Sequence, residues 1–383
     1  MPLRSRRILR VVAAAVAACL ALAVAPAAQS VVLLPTDPGR QCAWPVVYPG
    51  VANYAWPDTH AAYINQAVLM GANEKVVITG RDPKARYWSI TTYNYLDRQV
   101  IDRVNDVTVR RTGKGAKATW TVTVSPKQNP KDPNSLQGAA AYTYGSPLDT
   151  QKLTVIMYRV YLSATGTYSG GPLPTITVYD DNGVQKGPRK LVGCVGDQIA
   201  APDLPLGLAA AEGLPADEFV RAEGGRFYPS FDTSYLAAEV PYDADKILVV
   251  TGKAPKFGKV KGSEVRYWSL CQNLNVPPLP VVDCVADQDI ALTNGRYTIA
   301  VVTPEQVPVA DRSKYPGVTF VDWGELNDAG AYDDAMLIVR NILPSAAFRY
   351  SIAKVALGQP ASSAMGDYAP IISKVALADL AAS

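Results

Sequence analysis

Two nearly identical segments, RYWSI at residues 86–90 and RYWSL at residues 266–270, decide how this sequence is interpreted. Each follows a short β-branched run that ends in Thr-Gly, which is typical of a buried strand followed by a turn. Successive side chains of a strand point to opposite faces, so Arg and Trp share one face while Tyr and Ser share the other. We therefore predict two related strands in which Trp88 and Trp268 fill a core.

The segments around the two motifs recur in the same order. An Asp-Thr pair precedes each motif, in PDTHAAY at 57–63 and FDTSYLA at 231–237. An apolar strand with one arginine follows each motif, with Arg159 in the first copy and Arg340 in the second. The period of about 180 residues is too long for a solenoid repeat. The shared order predicts an internal duplication.

The predicted fold class is mainly β, with two tandem related β-sandwich or jelly-roll-like domains and few short helices. We place the first domain at residues 31–199 and an Ala-, Pro- and Gly-rich linker at 200–218. The second domain follows at 219–383 and includes a C-terminal helical tail. The helix candidates are 58–70, the linker around 206–221 and the tail at 373–382.

The N-terminus predicts export. Four arginines within the first ten residues precede an apolar run at 11–24, and Ala25 and Ala27 fit a small-x-small cleavage site. This pattern indicates a signal peptide over residues 1–27, exported by the Sec or the twin-arginine route. Cys19 is interpreted as part of the discarded signal, although a lipid anchor at Cys19 is the alternative.

Removal of the signal takes the formal net charge from +3 to −1. A nearly neutral chain gives no electrostatic basis for nucleic-acid binding, so no nucleic-acid partner is predicted. No transmembrane span is predicted in the mature chain. The remaining apolar content is that of a folded globular protein.

Four cysteines remain after the signal: Cys42, Cys194, Cys271 and Cys284. In an exported protein an even number of cysteines indicates disulfides, and four allow three connectivities. We predict Cys271–Cys284, which are close in sequence, and Cys42–Cys194, which tie the ends of the first half. Zinc binding is the alternative, but the spacing is wrong and His60 is the only histidine.

No catalytic signature is present in the sequence. There is no G-x-S-x-G motif, and His60 is the sole histidine that could serve as a base. Phosphate-binding glycine loops, a dinucleotide fingerprint and haem motifs are absent, so no cofactor is predicted. Acidic loops around 283–289 and 328–334 resemble no EF-hand, and no metal site is predicted.

Eight residues are candidates for a binding site: Arg86, Trp88, Arg266, Trp268, Arg159, Arg340, Asp58 and Asp232. An arginine in an apolar strand needs a partner, because an unpaired buried charge is very costly. We expect Asp58 and Asp232 to supply the partners of Arg159 and Arg340. These residues then form either a duplicated arginine–carboxylate brace or an anion-binding site.

Several segments carry a resemblance to known proteins. ITGRDPKARYWSITTYN at 78–94 and MYRVYLSATGTYSGGPLPTITV at 157–178 resemble a group of secreted actinobacterial proteins of unknown function. RYWSLCQN, GRYTIAVV and LIVRNILPS in the second half are similar to the duplicated β-rich domains of related envelope proteins. The resemblance implies an exported location and a β-sandwich fold, and it implies no particular activity.

These observations predict a secreted protein of the cell envelope or extracellular space. We expect a non-catalytic function in which the chain binds a small molecule, a glycan or an envelope protein. The alternative is a hydrolase that acts on carbohydrate through paired carboxylates.

Overall fold

The computed structural model describes residues 42–48, 53, 55–181, 186–194, 213–222, 228–276 and 279–382, all of which belong to one compact unit, Pro38–Ser383. The predicted signal peptide, Cys19 and residues 200–212 of the predicted linker lie outside these residues. The domain boundaries proposed from the sequence therefore stay predictions.

Within the described part of the first half, eleven strands form two sheets. Their bounds are β1 (Val46–Tyr48), β2 (Ala61–Leu69), β3 (Lys75–Gly80), β4 (Ala85–Asn94), β5 (Val100–Asn105), β6 (Arg111–Thr112), β7 (Thr119–Ser125), β8 (Ser135–Gln137), β9 (Leu153–Ser163), β10 (Thr175–Asp181) and β11 (Lys186–Lys190). One sheet has the order β1-β2-β9-β4-β5. The other has the order β11-β10-β3-β7-β6, and β8 pairs with β7.

Ten strands follow in the described part of the second half. Their bounds are β12 (Val220–Ala222), β13 (Thr233–Val240), β14 (Ile247–Lys253), β15 (Tyr267–Leu274), β16 (Val281–Ala286), β17 (Leu292–Thr293), β18 (Arg296–Val302), β19 (Val318–Asp322), β20 (Ala335–Ile342) and β21 (Ile371–Val375). One sheet has the order β12-β13-β20-β15-β16, and the other β17-β18-β14-β21 with β19 beside β18. The predicted mainly β class is confirmed.

The two halves share one strand order. Strands β1 to β10 occupy the same places in their sheets as strands β12 to β21 do, taken in order. The parallel pairing of β8 with β7 corresponds to that of β19 with β18. The register agrees as well, because Ser89 lies opposite Arg159 on β9 and Ser269 lies opposite Arg340 on β20. Strand β11 has no counterpart among the described strands of the second half.

Each half buries its core between its two sheets. In the first half Trp88 and Ile90 of one sheet pack with Trp120 and Val122 of the other. In the second half Trp268 packs in the same way, in a cluster that includes residues of both sheets. The alternation of threonine with Trp120, Val122 and Val124 along β7 places the threonines outward, as period-2 patterning requires.

The helix predicted over 58–70 is wrong, because Ala61–Leu69 is strand β2. Its alanine and glutamine content favours a helix, but the burial alternates along the segment and both edges pair, with β1 and with β9. The predicted helical tail is a strand, β21, followed by a 3-10 helix, Leu377–Ala382. The one α-helix of the described residues is Ser362–Met365.

Both predicted disulfide pairings are confirmed. Cys42 and Cys194 are joined with an S–S distance of 1.94 Å, and Cys271 and Cys284 with one of 1.95 Å. Cys271 and Cys284 lie opposite each other on β15 and β16. Across the described residues, no helix has the length and apolarity that a membrane crossing requires.

Candidate functional site

The tryptophans of the two RYWS motifs are core residues. Trp88 stacks on Trp120 with ring centroids 4.8 Å apart, and Trp268 lies 5.2 Å from the ring of Tyr297. Both indoles are buried. The structure therefore places these two candidate binding residues inside the sandwiches, as core residues.

The tyrosine of each motif points out of its own core and into the other half. The Tyr87 hydroxyl donates to Oδ2 of Asp232 at 2.8 Å, and the Tyr267 hydroxyl donates to Oδ2 of Asp58 at 2.9 Å. The two bonds are reciprocal, since each tyrosine reaches the Asp-Thr pair of the opposite copy. We call the region where the halves meet the junction; its apolar centre comprises Ala61, Tyr87, Tyr161, Tyr267, Ala286 and Ile342.

The arginines of the motifs make a second reciprocal exchange. Arg86 donates from Nη1 to both carboxylate oxygens of Asp287, at 3.0 and 3.2 Å. Arg266 forms the corresponding ion pair with Asp106. The backbone N–H groups of Asp106 and Asp287 each donate at 3.0 Å to the carbonyl of the tryptophan in their own half, Trp88 and Trp268. Each RYWS motif thus holds an acid that accepts the arginine of the other motif.

The two Asp-Thr carboxylates are buried and fully engaged. Asp58 accepts from the Ser269 hydroxyl at 2.7 Å and lies 3.6 Å from Nη1 of Arg340. Asp232 accepts from Nε of Arg103 at 2.7 Å and from Nδ2 of Asn105 at 2.9 Å. Both carboxylates therefore brace the junction, but only Asp58 pairs with one of the two arginines expected from the sequence, Arg340.

Arg159 and Arg340 occupy matching positions but differ in their partners. Arg340 donates from Nη2 to the Trp56 carbonyl at 2.6 Å and from Nη1 to Sγ of Cys271 at 2.7 Å. Arg159 donates from Nη2 to the Tyr228 carbonyl at 2.6 Å, and its guanidinium lies 5.4 Å from the ring centroid of Tyr93. Asp232 is paired with Arg103 in place of Arg159, because β5 brings Arg103 to the junction.

Burial and pairing shift two of the junction carboxylates in opposite directions. Burial alone raises the pKa of Asp58, but the hydrogen bond from His60 and the charge of Arg340 outweigh it and lower the pKa to about 2. Burial raises the pKa of Asp287 to about 6, because the Arg86 ion pair offsets only part of the lost hydration. Neither carboxylate is open to solvent.

Asp58→Asn should make the stability difference from the parent protein depend on pH. The folded-state pKa of Asp58 lies below its ordinary value of 3.8, so the unfolded chain takes up the proton first as the pH falls. The parent therefore gains about 2 kcal/mol from this carboxylate above about pH 4 and loses it as the pH falls to about 2. Urea unfolding of both proteins across this range measures the change, with the exposed Asp328→Asn as the baseline. A difference that stays constant with pH would contradict the lowered pKa.

His60 is not arranged as the base of a catalytic triad. Its Nδ1 lies 3.5 Å from Oδ1 of Asp58 and 3.4 Å from the Thr59 hydroxyl. A relay requires the carboxylate and the nucleophile on opposite ring nitrogens, and here both face the same one. The buried Ser269 hydroxyl donates to Asp58 rather than to the imidazole. Burial lowers the pKa of His60, but Asp58 and Asp289 outweigh it, so the pKa is raised overall.

One group of three potential metal ligands occurs in the described residues, formed by Asp58, Cys271 and Cys284. The two sulfur atoms are joined as a disulfide, and Asp58 already accepts two hydroxyl donors beside a guanidinium. A cation is disfavoured at such a position. The group therefore does not fit a metal centre.

An open cleft of about 460 Å³ lies at one end of the junction. The first half contributes Asp82, Asp106 and Arg111, and the second half contributes Lys259 and Arg266 among others. Its wall comes from the connection between β14 and β15, residues 254–266, which is much longer than the matching connection 81–84 between β3 and β4. The longer connection of the second copy therefore supplies much of the cleft lining.

Ion pairs link the charged residues that line the cleft. Nε of Arg111 donates to Asp82 at 2.8 Å, and Nζ of Lys259 lies 3.1 Å from Oδ2 of Asp106. Asp106 also receives Arg266 at the same oxygen. The lining is thus polar and charged, with three cations and two carboxylates.

Sequence reasoning did not identify Asp106 and Asp287 as partners of the motif arginines. A signal for both exists in the chain, because the same V-x-D pattern spans the ends of the corresponding strands β5 and β16, with the acid directly after each strand, at Asp106 and Asp287. Of the eight candidates, the structure brings Asp58, Asp232, Arg86, Arg266, Arg159 and Arg340 to the junction. Only Arg266 also lines the cleft.

No family model matches the sequence, and no curated protein matches it significantly. Among solved structures, the chain resembles an uncharacterised protein from Burkholderia cenocepacia, with a TM-score of 0.50 at 11% identity over 85% of this chain and 79% of that one. A protein from Vibrio parahaemolyticus gives a TM-score of 0.44 at 13% identity over 85% of this chain and 92% of that one. The first likeness concerns the fold alone.

Proposed function

We propose that this chain is an exported, non-catalytic binding protein that takes a polar small molecule or a glycan in the cleft at the junction. The observation that carries the proposal is the cleft itself, whose volume of about 460 Å³ lies within the range of roughly 300 to 1,000 Å³ common for ligand pockets. Its lining comes from both halves, as is usual for sites between packed units.

The buried carboxylates outside the cleft support this location, because other residues already engage them. The carboxylates Asp58, Asp232 and Asp287 are each held by several donors and are closed to solvent. Their role is to join the halves. In the cleft, by contrast, Asp82 and Arg111 of the first half and Lys259 and Arg266 of the second retain some exposure, so polar groups of both halves meet solvent there.

A carboxylate-dependent hydrolase of carbohydrates is the second candidate. Glycoside hydrolysis requires two carboxyl groups that flank the bond, one of which donates a proton. The cleft contains Asp82 and Asp106, but a guanidinium engages each of them. Asp287, whose pKa is raised to about 6, does not line the cleft. The arrangement favours binding over turnover.

Export is part of the same proposal. The N-terminal arginines, apolar run and small residues carry the prediction of a signal peptide. Two disulfides are compatible with an oxidising compartment, since bonds of this kind are rare in the cytosol. The binding function would then operate in the cell envelope or outside the cell.

We infer that the two halves arose by duplication of one sandwich. The common strand order and the common register of Arg159 and Arg340 support this origin. The reciprocal contacts of the motifs support it further, because a two-fold related pair of identical copies makes each contact twice.

Val260→Trp should block the cleft and weaken ligand binding by about tenfold or more, since a bulky ring would displace a small ligand. Val260 lines the cleft and is 69% exposed, so the substitution leaves the core intact. Val309→Trp is the matched control, because Val309 is also 69% exposed and lies outside the cleft.

A thermal-shift and calorimetric screen of saccharides and polar small molecules with the exported chain supplies the ligand for this comparison. Equal affinity of the parent and Val260→Trp would place binding elsewhere and overturn the proposal. Release of a reducing end from a bound glycan would favour the hydrolase.

A further inference from the structure

We propose that the cleft recognises an acidic saccharide, meaning a sugar that carries a carboxylate or phosphate group beside its hydroxyls; this inference rests on the proposed binding function. The two RYWS arginines differ in the acceptors that surround them. They are equivalent by sequence and by position, but Arg86 engages both of its terminal nitrogens, whereas Arg266 engages only one and lines the cleft.

Both terminal nitrogens of Arg86 already have acceptors. Its Nη1 donates to both oxygens of Asp287, and its Nη2 donates to Gln288 at 3.0 Å. The ring of Phe257 covers the guanidinium, with 5.3 Å from Cζ to the ring centroid. Arg86 does not line the cleft, so its guanidinium is not presented to a ligand there.

Arg266 has one acceptor among the described residues, Oδ2 of Asp106, which it contacts through Nη1. Its Nε and Nη2 groups find no acceptor in the described part of the chain, and the side chain is 17% exposed at the cleft. Two nitrogens in the fixed fork of a guanidinium match the two oxygens of a carboxylate or phosphate. An anionic group is therefore the chemical complement of this arginine.

The surrounding charge favours an anion as well. Residues 253–266 carry Lys253, Lys256, Lys259, Lys261 and Arg266 against one acid, Glu264. That acid is already engaged, because its carboxylate accepts from the Lys256 backbone N–H and from the Tyr368 hydroxyl. The connection is therefore positive, and Lys259 and Arg266 present that charge in the cleft lining, which favours anions there.

Asp106 distinguishes a saccharide from a simple anion. Its Oδ2 receives Arg266 and Lys259, whereas its Oδ1 is buried at the cleft wall without a hydrogen-bond partner. A carboxylate can only accept hydrogen bonds, so Oδ1 requires a hydrogen-bond donor as its partner. An isolated anion would meet repulsion from Asp106, while a sugar offers a hydroxyl donor next to its acidic group.

Calorimetry with matched probes tests the inference: oligogalacturonate against its neutral methyl ester, and glucose 6-phosphate against glucose and inorganic phosphate. We expect at least one acidic sugar to bind about tenfold or more tightly than its neutral partner, because a hydrogen bond to a charged group contributes enough for that ratio. The oligogalacturonate and glucose 6-phosphate arms distinguish a carboxylate ligand from a phosphate ligand.

Lys259→Gln should weaken binding of the acidic sugar about tenfold and leave the neutral partner unchanged. Lys256→Gln is the matched control, since Lys256 is an exposed lysine of the same connection that does not line the cleft. Because Lys259 is 43% exposed, its loss should not affect folding, unlike that of Arg266.

The remaining outcomes distinguish failure of the acidic specificity from failure of the binding function. Equal affinity for acidic and neutral sugars, still blocked by Val260→Trp, would overturn the acidic specificity and leave the binding function standing. Inorganic phosphate that binds as tightly as the sugar phosphate, or single-stranded nucleic acid that binds more tightly than either sugar, would also overturn the saccharide assignment. Absence of binding by every compound in both this panel and the broader screen would overturn both proposals.

Discussion

Arg340→Ala should lower the free energy of unfolding by about 3 to 5 kcal/mol, because breaking a buried ion pair leaves an uncompensated charge. Arg340 is 2% exposed, and the carboxylate left behind is that of Asp58. The same substitution also removes the donor to the Trp56 carbonyl, which brings the first half to the second. Urea unfolding of the purified variant measures the loss.

Arg349→Ala is the control for this experiment, since Arg349 is an exposed arginine of the same half. We expect it to change stability by no more than about 0.5 kcal/mol. An Arg340→Ala protein that unfolds like the parent but no longer binds ligand would make Arg340 a binding residue and contradict the brace.

Trp88→Ala should cost about 3 to 5 kcal/mol of stability, through the lost apolar burial and the cavity left beside Trp120. Trp88 is fully buried and stacks on that ring, so neighbouring side chains cannot easily fill the space. Trp88→Phe retains part of the ring and should cost clearly less. Thermal and urea unfolding compare the two variants.

Tyr168→Ala provides the exposed aromatic control, because this side chain is 47% exposed. Ligand affinity should be unchanged for the folded fraction of Trp88→Ala, as the indole is remote from solvent. A stable Trp88→Ala protein with lost binding would show that the RYWS tryptophan contacts ligand.

The repeated pattern predicted the strands and the burial of both tryptophans well. VVIT, ILVVT and the RYWS segments are local signals, and a buried strand leaves them wherever it occurs. The disulfide pairing could also be predicted, because Cys271 and Cys284 lie only 13 residues apart. Once these two are paired, the remaining two cysteines can pair only with each other.

The junction could not be predicted in the same way. Tyr87 and its acceptor Asp232 are 145 residues apart, and Arg86 and Asp287 are 201 residues apart. No local pattern indicates that a motif binds the opposite copy rather than its own. The helix prediction at 58–70 was wrong for a related reason, since the strand conformation of this segment depends on pairing with the distant strand β9.

The contacts that the motif tyrosines and arginines make with the opposite half also determine the order in which the protein folds. At about 5 to 20 residues per second, the acceptor of Arg86 is synthesised roughly 10 to 40 s after the arginine itself. Until then the outer face of the first sandwich presents Tyr87 and Arg86 without their acceptors, together with the apolar surface of Tyr161 and Ala61. Contacts of such long sequence separation form slowly, so docking of the halves should be the late step of folding. During that interval, association with a second incomplete chain through the same face competes with the native contact.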